Sequence, residues 1–308
     1  MIVNNQQGTA LIVTLFVVVI LTVTVTEFLY ETWVDRSLTA NFRDGTKGLY
    51  ALTSGVEAAR AVIVDDYKQD QRNGRYVDTL KEYWAQPAIA IPLEDTFMFA
   101  TITDESSKID LNSLVTQGGY PDDKYIAFFR RLLRVRELDE AIADYVRDWI
   151  DSNDVGPAES PYYQSLPNPY LCKNARFDTV EELQLVRGVT PEVFARLRKF
   201  VTIGTGGPVN INTASREVLM ALHGDITPSM ADDVIRTRTE LPFKDKTEIK
   251  NLAGFESIFP EISNLISVRS DAFSLEASVM FNETRRQAHA IFNNRGAGGA
   301  TLIYFKVD

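Results

Sequence analysis

The sequence predicts an α+β fold: one very long N-terminal helix carries an antiparallel sheet, and a large all-helical block is inserted between the strands of that sheet. Three observations predict it. Helical apolar spacing runs from about residue 9 to residue 70. Helical patterns then fill most of residues 119–264. A run of β-formers at 96–103 and a period-two alternation after 265 bracket that block. The 308 residues therefore divide into a leader (1–8), the long helix (9–70, with 9–26 transmembrane), a first part of the sheet domain (71–118), the helical insert (119–264) and the returning strands (265–308). A chain of this length has ample material for a core.

The long helix is justified first. From Gly8 to Thr26 there is no charged side chain, and the first is Glu27. A helix rises about 1.5 Å per residue, so such a run covers most of a ~30 Å hydrocarbon layer. Threonine is tolerated there because its hydroxyl bonds a carbonyl one turn earlier. Beyond Glu27 the apolar positions Leu29, Tyr30, Trp33, Val34, Leu38, Phe42, Leu49, Leu52, Val56, Ala59 and Val62 continue at helical spacing, now among charges. One helix, half in lipid and half on a soluble domain, is the simplest reading. Gly45, Gly48 and Gly55 each cost up to about 1 kcal/mol relative to alanine, which predicts a bend or a close packing contact near residues 44–48. A cleaved secretory signal is the competing reading. It needs a basic leader and a small-x-small site, and the segment Met1–Gln7 has no Lys or Arg and no such site follows. The same lack of basic residues leaves the orientation unread.

Further along, Asp70–Gly74 is a polar turn and Thr96–Thr103 a strand. Helical faces follow at Tyr125–Leu133 and Leu138–Ile150, then at Thr179–Arg187, Pro191–Phe200, Arg216–Leu222, Ser229–Thr237 and Lys246–Leu252. Thr190-Pro191 and Thr227-Pro228 are good helix starts. Phe273, Leu275, Ala277 and Val279 alternate with polar residues, and Arg285–Phe292 and Thr301–Val307 complete three strands around a glycine-rich turn at 293–299.

Composition narrows function. The net charge is −10, which opposes nucleic acid as a partner. Cys172 is alone, so no internal disulfide forms. His223 and His289 leave little room for histidine catalysis or zinc, and no triad, nucleophile elbow or phosphate loop is present. No enzymatic activity is expected.

Two motifs remain. Asp148–Tyr163 places Asp151, Asn153, Asp154 and Glu159 in a loop with Gly and Pro just after a helix. Ca²⁺ takes six to eight such oxygens, although EF-hand spacing is absent and an acidic, solvated turn would look the same. Val209–Gly224 resembles a helix-hairpin-helix unit, which can present backbone amides to phosphate. Asp225, Asp232 and Asp233 sit where a DNA-binding face would want cations, and a structural hairpin with Leu219 and Leu222 inward and Gly224 as a helix C-cap reads equally well.

A short polar leader ending in Gly8, directly before the apolar helix, resembles the type IV pilins and pseudopilins. The resemblance implies cleavage by a prepilin peptidase between Gly8 and Thr9, with methylation among the accompanying modifications. Most members carry Glu at the fifth mature position, and here that position is Val13. That departure, the helical insert, the Asp148-Trp149-Ile150-Asp151 segment, the Tyr162-Tyr163 pair, Pro169-Tyr170, Asn174 and the Asn210-x-Asn212-Thr213-Ala214 signature are similar to the K-type minor pseudopilin of type II secretion. This resemblance implies a pilin-like sheet domain with Ca²⁺ in its insert. It implies a single-pass inner-membrane anchor, a periplasmic body and a place at or near the pseudopilus tip. Its partners would be the I-type and J-type minor pseudopilins and the major pseudopilin. In the family the glutamate is thought to pair with the N-terminal amine of a neighbour, so Val13 fits a capping subunit. The alternatives are a membrane-anchored helix-hairpin-helix DNA-binding protein and a type IV pilus minor pilin.

Overall fold

The computed structural model describes residues 6–94, 96–294 and 300–308. Met1–Asn5 of the leader and Arg295–Gly299 of the glycine-rich turn lie outside the described residues.

Helix α1 (Gln6–Asn73) is 68 residues long, or roughly 100 Å. Its apolar N-terminal window is fully exposed. Thr14, Thr22, Thr24 and Thr26 donate their hydroxyls to the carbonyls of Ala10, Val18, Ile20 and Thr22, so that these four hydroxyls need no water. The second half of α1 lays Leu52, Val56, Ala59 and Ile63, a single helical stripe, on the sheet. No break occurs at residues 44–48: the chain stays helical, and the glycines serve close packing. A Cβ on Gly48 would sit 2.9 Å from Cγ of Arg286, and one on Gly55 2.6 Å from Cε of Met98.

The sheet is antiparallel throughout, in the order β1 (Ile89–Pro92), β2 (Phe97–Asp104), β7 (Ala272–Phe281), β8 (Thr284–Asn293), β9 (Thr301–Val307). Its inner face presents Met98, Ala100 and Ile102 of β2, Phe273, Leu275, Ala277 and Val279 of β7, and Ala288, Ala290 and Phe292 of β8 to α1. Trp84 closes one end of this core, 4.9 Å from the Phe273 ring. The period-two signal therefore marks the face covered by the helix. Strand β1 has no counterpart in the sequence reading, since four residues ending in proline give little alternation.

Between β2 and β7 the chain makes a second core that shares no residue with the first. It runs from Ile109 to Ile266. Its helices are α2 (Asp123–Val135), α3 (Ile142–Ile150), α4 (Ser160–Gln164), α5 (Pro191–Leu197), α6 (Arg216–Ala221), α7 (Pro228–Glu240) and α8 (Phe255–Ile262). Four departures from the sequence reading stand out. Ile109, Leu111, Leu114 and Val115 bury in the insert's core, so the insert starts before residue 119. Two short parallel pairs sew it together: β3 (Ile109–Asp110) with β4 (Val201–Thr202), and β5 (Val209–Asn210) with β6 (Ile266–Ser267). The segments Val180–Leu185 and Lys246–Asn251 are 3₁₀ rather than α. Helix α8 was hidden by Pro260 within it.

Candidate metal centre and membrane stem

The last turn of α3 points Asp148 inward. Its carboxylate is fully buried. Arg147 donates to its Oδ1 from Nη2 at 2.7 Å, and the Ala158 N–H donates to its Oδ2 at 2.8 Å. The chain can wrap this carboxylate only because residue 156 is glycine: a Cβ there would lie 2.3 Å from the carboxyl carbon and both oxygens. Asp151 caps α3 and is 1% exposed. Glu159 opens α4 and is also buried.

Asp148, Asp151 and Glu159 each offer a carboxylate oxygen, and these atoms lie within 4.8 Å of one another. Arg147 is their near cation, 2.7 Å from Asp148 and 4.0 Å from Asp151. Both oxygens of Glu159 are buried with no hydrogen-bond partner. Leaving such groups unpaired costs about 1–3 kcal/mol or more. Burial first, and then the charges of Asp148, Asp151 and Asp154, push the Glu159 carboxyl up to about 7. Burial also raises Asp151.

Of the four expected ligands, the fold brings Asp151 and Glu159 together. Asn153 instead accepts from the Val155 N–H at 2.8 Å, closing a turn. Asp154 accepts from Nδ2 of Asn174 at 2.9 Å, outside the three-carboxylate group. Asp148 was missed as a ligand. Its signal was present, as an acid one helical turn before Asp151, but a helical aspartate reads as solvated until its burial is known.

The loop is braced from behind. Trp149 and Tyr163 meet edge to face at 5.2 Å, and Tyr163 stacks on Tyr170 at 5.1 Å. Arg187 lies over the Tyr162 ring at 4.3 Å and donates to the Pro157 carbonyl at 2.6 Å. Cys172, buried, touches the Asp148 carbonyl with its Sγ at 3.4 Å. The set of donors fits a hard, oxygen-seeking cation: three converging carboxylates, one of them orphaned, on a loop held by aromatic packing.

The hairpin motif has a different use. Asn212 exchanges two hydrogen bonds with the backbone of Phe243, and Asn210 turns inward to Asp78, Asp104 and Ser270. Leu219 and Leu222 are buried as expected. Gly224, expected as the helix C-cap, lies two residues beyond the observed C-cap, Leu222, and its φ is not positive. Arg216 is paired with Asp232 at 2.6 Å.

At the other end of the molecule, Gly8, Thr9 and Val13 all lie within α1, which passes through the expected cleavage point without interruption. Val13 is 55% exposed. The exposed apolar surface continues past the lipid-length window through Phe28, Leu29, Trp33, Leu38 and Phe42.

A membrane-length apolar helix whose second half backs an antiparallel sheet defines a pilin-type subunit, here enlarged by a helical insert. Comparison with known proteins specifies which one. Residues 107–205 and 209–269 match two family models, both described as type II secretion system protein K, and together they cover the insert. Type II secretion system protein K of Aeromonas hydrophila is 27% identical over 94% of this chain and 93% of its own length. The Pseudomonas aeruginosa protein of the same name is 29% identical over 97% and 92%. Among solved structures, the GspK-GspI-GspJ complex of the enterotoxigenic Escherichia coli type 2 secretion system contains a chain that matches with a TM-score of 0.75 at 18% identity, over 86% of this chain and 97% of that one. The chain belongs to the type II secretion system protein K family and is a minor pseudopilin, fitted by its apolar helix for membrane anchoring.

Proposed function

We propose that this subunit caps the periplasmic pseudopilus of type II secretion, with residues 9–26 first in the inner membrane and later packed in the fibre. Prepilin peptidase frees Thr9 by cutting after Gly8. The sheet domain and insert lie in the periplasm, where the subunit contacts I-type and J-type minor pseudopilins and the major pseudopilin. Its role is assembly rather than catalysis. The observation that carries this reading is the stem: an apolar surface that outlasts the bilayer needs neighbours of the same kind, and GspK stands in one complex with GspI and GspJ in the solved relative. Val13 supports the terminal position, because it offers no carboxylate to a subunit stacked above.

We further propose that Asp148, Asp151 and Glu159 hold Ca²⁺. There the ion supplies the counter-charge that one arginine does not. Sequencing the N-terminus of the native protein and imaging labelled subunits on pseudopili test the assembly reading. A first residue of Met1, or label distributed along the shaft, contradicts it.

A further inference from the structure

The two cores of this chain meet at a polar seam, with most of its bonds on one side. Asp104, at the end of β2, is 2% exposed. It gathers donors from three directions. Its Oδ1 accepts from the Ser106 N–H at 2.7 Å. Its Oδ2 accepts from Oγ of Ser270 at 2.6 Å, from Oγ1 of Thr213 at 2.5 Å and from Nδ2 of Asn210 at 3.3 Å. The Asn210 amide also donates to the Asp78 carbonyl at 3.0 Å. The Asp78 carboxylate in turn accepts from the Ser270 N–H, and its own N–H donates to the Val268 carbonyl. The sheet's β2 end, the insert and the segment leading into β7 therefore converge on one carboxylate, and Asp78 joins them through Asn210 and Ser270.

On the opposite side of β2 the bodies are joined at Glu105 and stand apart beyond it. Thr103 and Glu105, which alternate with Asp104, face a cleft of about 680 Å³. One wall is the outer face of the sheet, with Glu276, His289 and Tyr304. The other is the insert, with Phe177, Phe194 and Arg198. Glu105 lies at its floor, bonded to Thr202 of the insert, Ser274 of the sheet and Lys108. The backbone crosses between the bodies only in the short stretches 105–109 and 267–271. Two cores without a shared apolar residue, two adjacent chain crossings and an open cleft are the parts of a hinge.

We propose that the insert rocks as one body on this seam, with the Asp104–Asn210–Thr213–Ser270 node, aided by Glu105, as the clasp that limits the width of the cleft. The node, rather than apolar contact, sets the angle between insert and sheet. Breaking one of its bonds opens the cleft without unfolding either core.

The test uses the full chain in lipid nanodiscs, with Cys172 replaced by alanine. Spin labels go on Glu192→Cys of the insert and Lys306→Cys of the sheet, both exposed. Electron–electron distance measurement should give one dominant short distance in the parent. Asn210→Ala, which removes the amide's bonds to Asp104, Ser270 and the Asp78 carbonyl, should shift the closed-to-open ratio by about tenfold or more, with unchanged helical content. Ser270→Ala, a smaller excision, should shift it in the same direction and covers the case in which Asn210→Ala does not fold. A folded variant of either kind whose distance distribution matches the parent overturns the proposal.

Discussion

Gly156→Ala puts the metal loop under the most direct test. The new methyl would lie 2.3 Å from all three carboxyl atoms of Asp148, well inside van der Waals contact. Asp148 has nowhere to go, because its side chain is fully buried and held by Arg147 on one oxygen and the Ala158 amide on the other. Either the carboxylate moves and breaks a charge-assisted hydrogen bond, worth about 1.5–3 kcal/mol, or the loop moves and overpacks, at about 1–3 kcal/mol. Either route costs roughly 1–3 kcal/mol. Urea unfolding of the full chain in detergent, followed by circular dichroism, measures it. Gly224→Ala is the internal control: no heavy atom lies within 4 Å of the added Cβ and φ is not positive, so it should be neutral or stabilise by up to about 1 kcal/mol. A Gly156→Ala loss below about 1 kcal/mol would mean that the carboxylate has room, and the packed-loop argument would fail.

Three further outcomes follow from the same geometry. Saturating Ca²⁺ should stabilise the parent by about 2.7 kcal/mol at a hundredfold excess over Kd, read as a raised melting temperature, and Glu159→Gln should abolish the shift; an undiminished shift removes Glu159 from the ligand set. Asp66, Asp78 and Glu82 also bring carboxylate oxygens within 4.8 Å of one another where the end of α1 meets the following segment, and burial, followed by Glu82, Asp70 and Asp65, raises Asp66 to about 7. A raised carboxylate favours the folded state at low pH, so stability should fall as pH rises from about 4 through 7, and Asp66→Asn should flatten that slope in pH-dependent melting curves. Val13→Glu should let the subunit enter the shaft, visible as label along pseudopili; label confined to one end would refute the capping role given to Val13.

Periodicity alone makes much of this fold legible. The stem, the β2 strand, most insert helices and the three C-terminal strands all announce themselves by apolar spacing at 3.6 or 2. What stays hidden is set by burial or by tertiary contact. Asp148 reads as a helix-surface acid, and only the closeness of Gly156 and Ala158 turns it into a buried ligand. The glycines of α1 read equally as a kink or as contact points, and Arg286 and Met98, more than 40 residues away in sequence, decide between the two. The insert's start is placed late because Ile109–Val115 is apolar in a way that suits either core.

The Asn210-x-Asn212-Thr213-Ala214 signature shows how far a motif can mislead about chemistry while being right about structure. A hairpin that binds nucleic acid must leave its donors facing outward, beside cations that draw in phosphate. Here the donors face inward. Asn212 locks the hairpin to Phe243, and Asn210 and Thr213 reach across the seam to Asp104. The anion these side chains meet is the protein's own buried Asp104 carboxylate. Removing that carboxylate should therefore do more than removing any one donor: Asp104→Ala takes the acceptor from the Ser106 N–H and the Ser270 hydroxyl and one bond each from Thr213 and Asn210, which keep the Asn210 and Asp78 carbonyls, and each buried donor left unpaired costs about 1–3 kcal/mol. Asp104→Ala should thus destabilise the full chain more than Ser270→Ala in urea unfolding. Equal losses from the two would show that Asp104 is not the centre of the node.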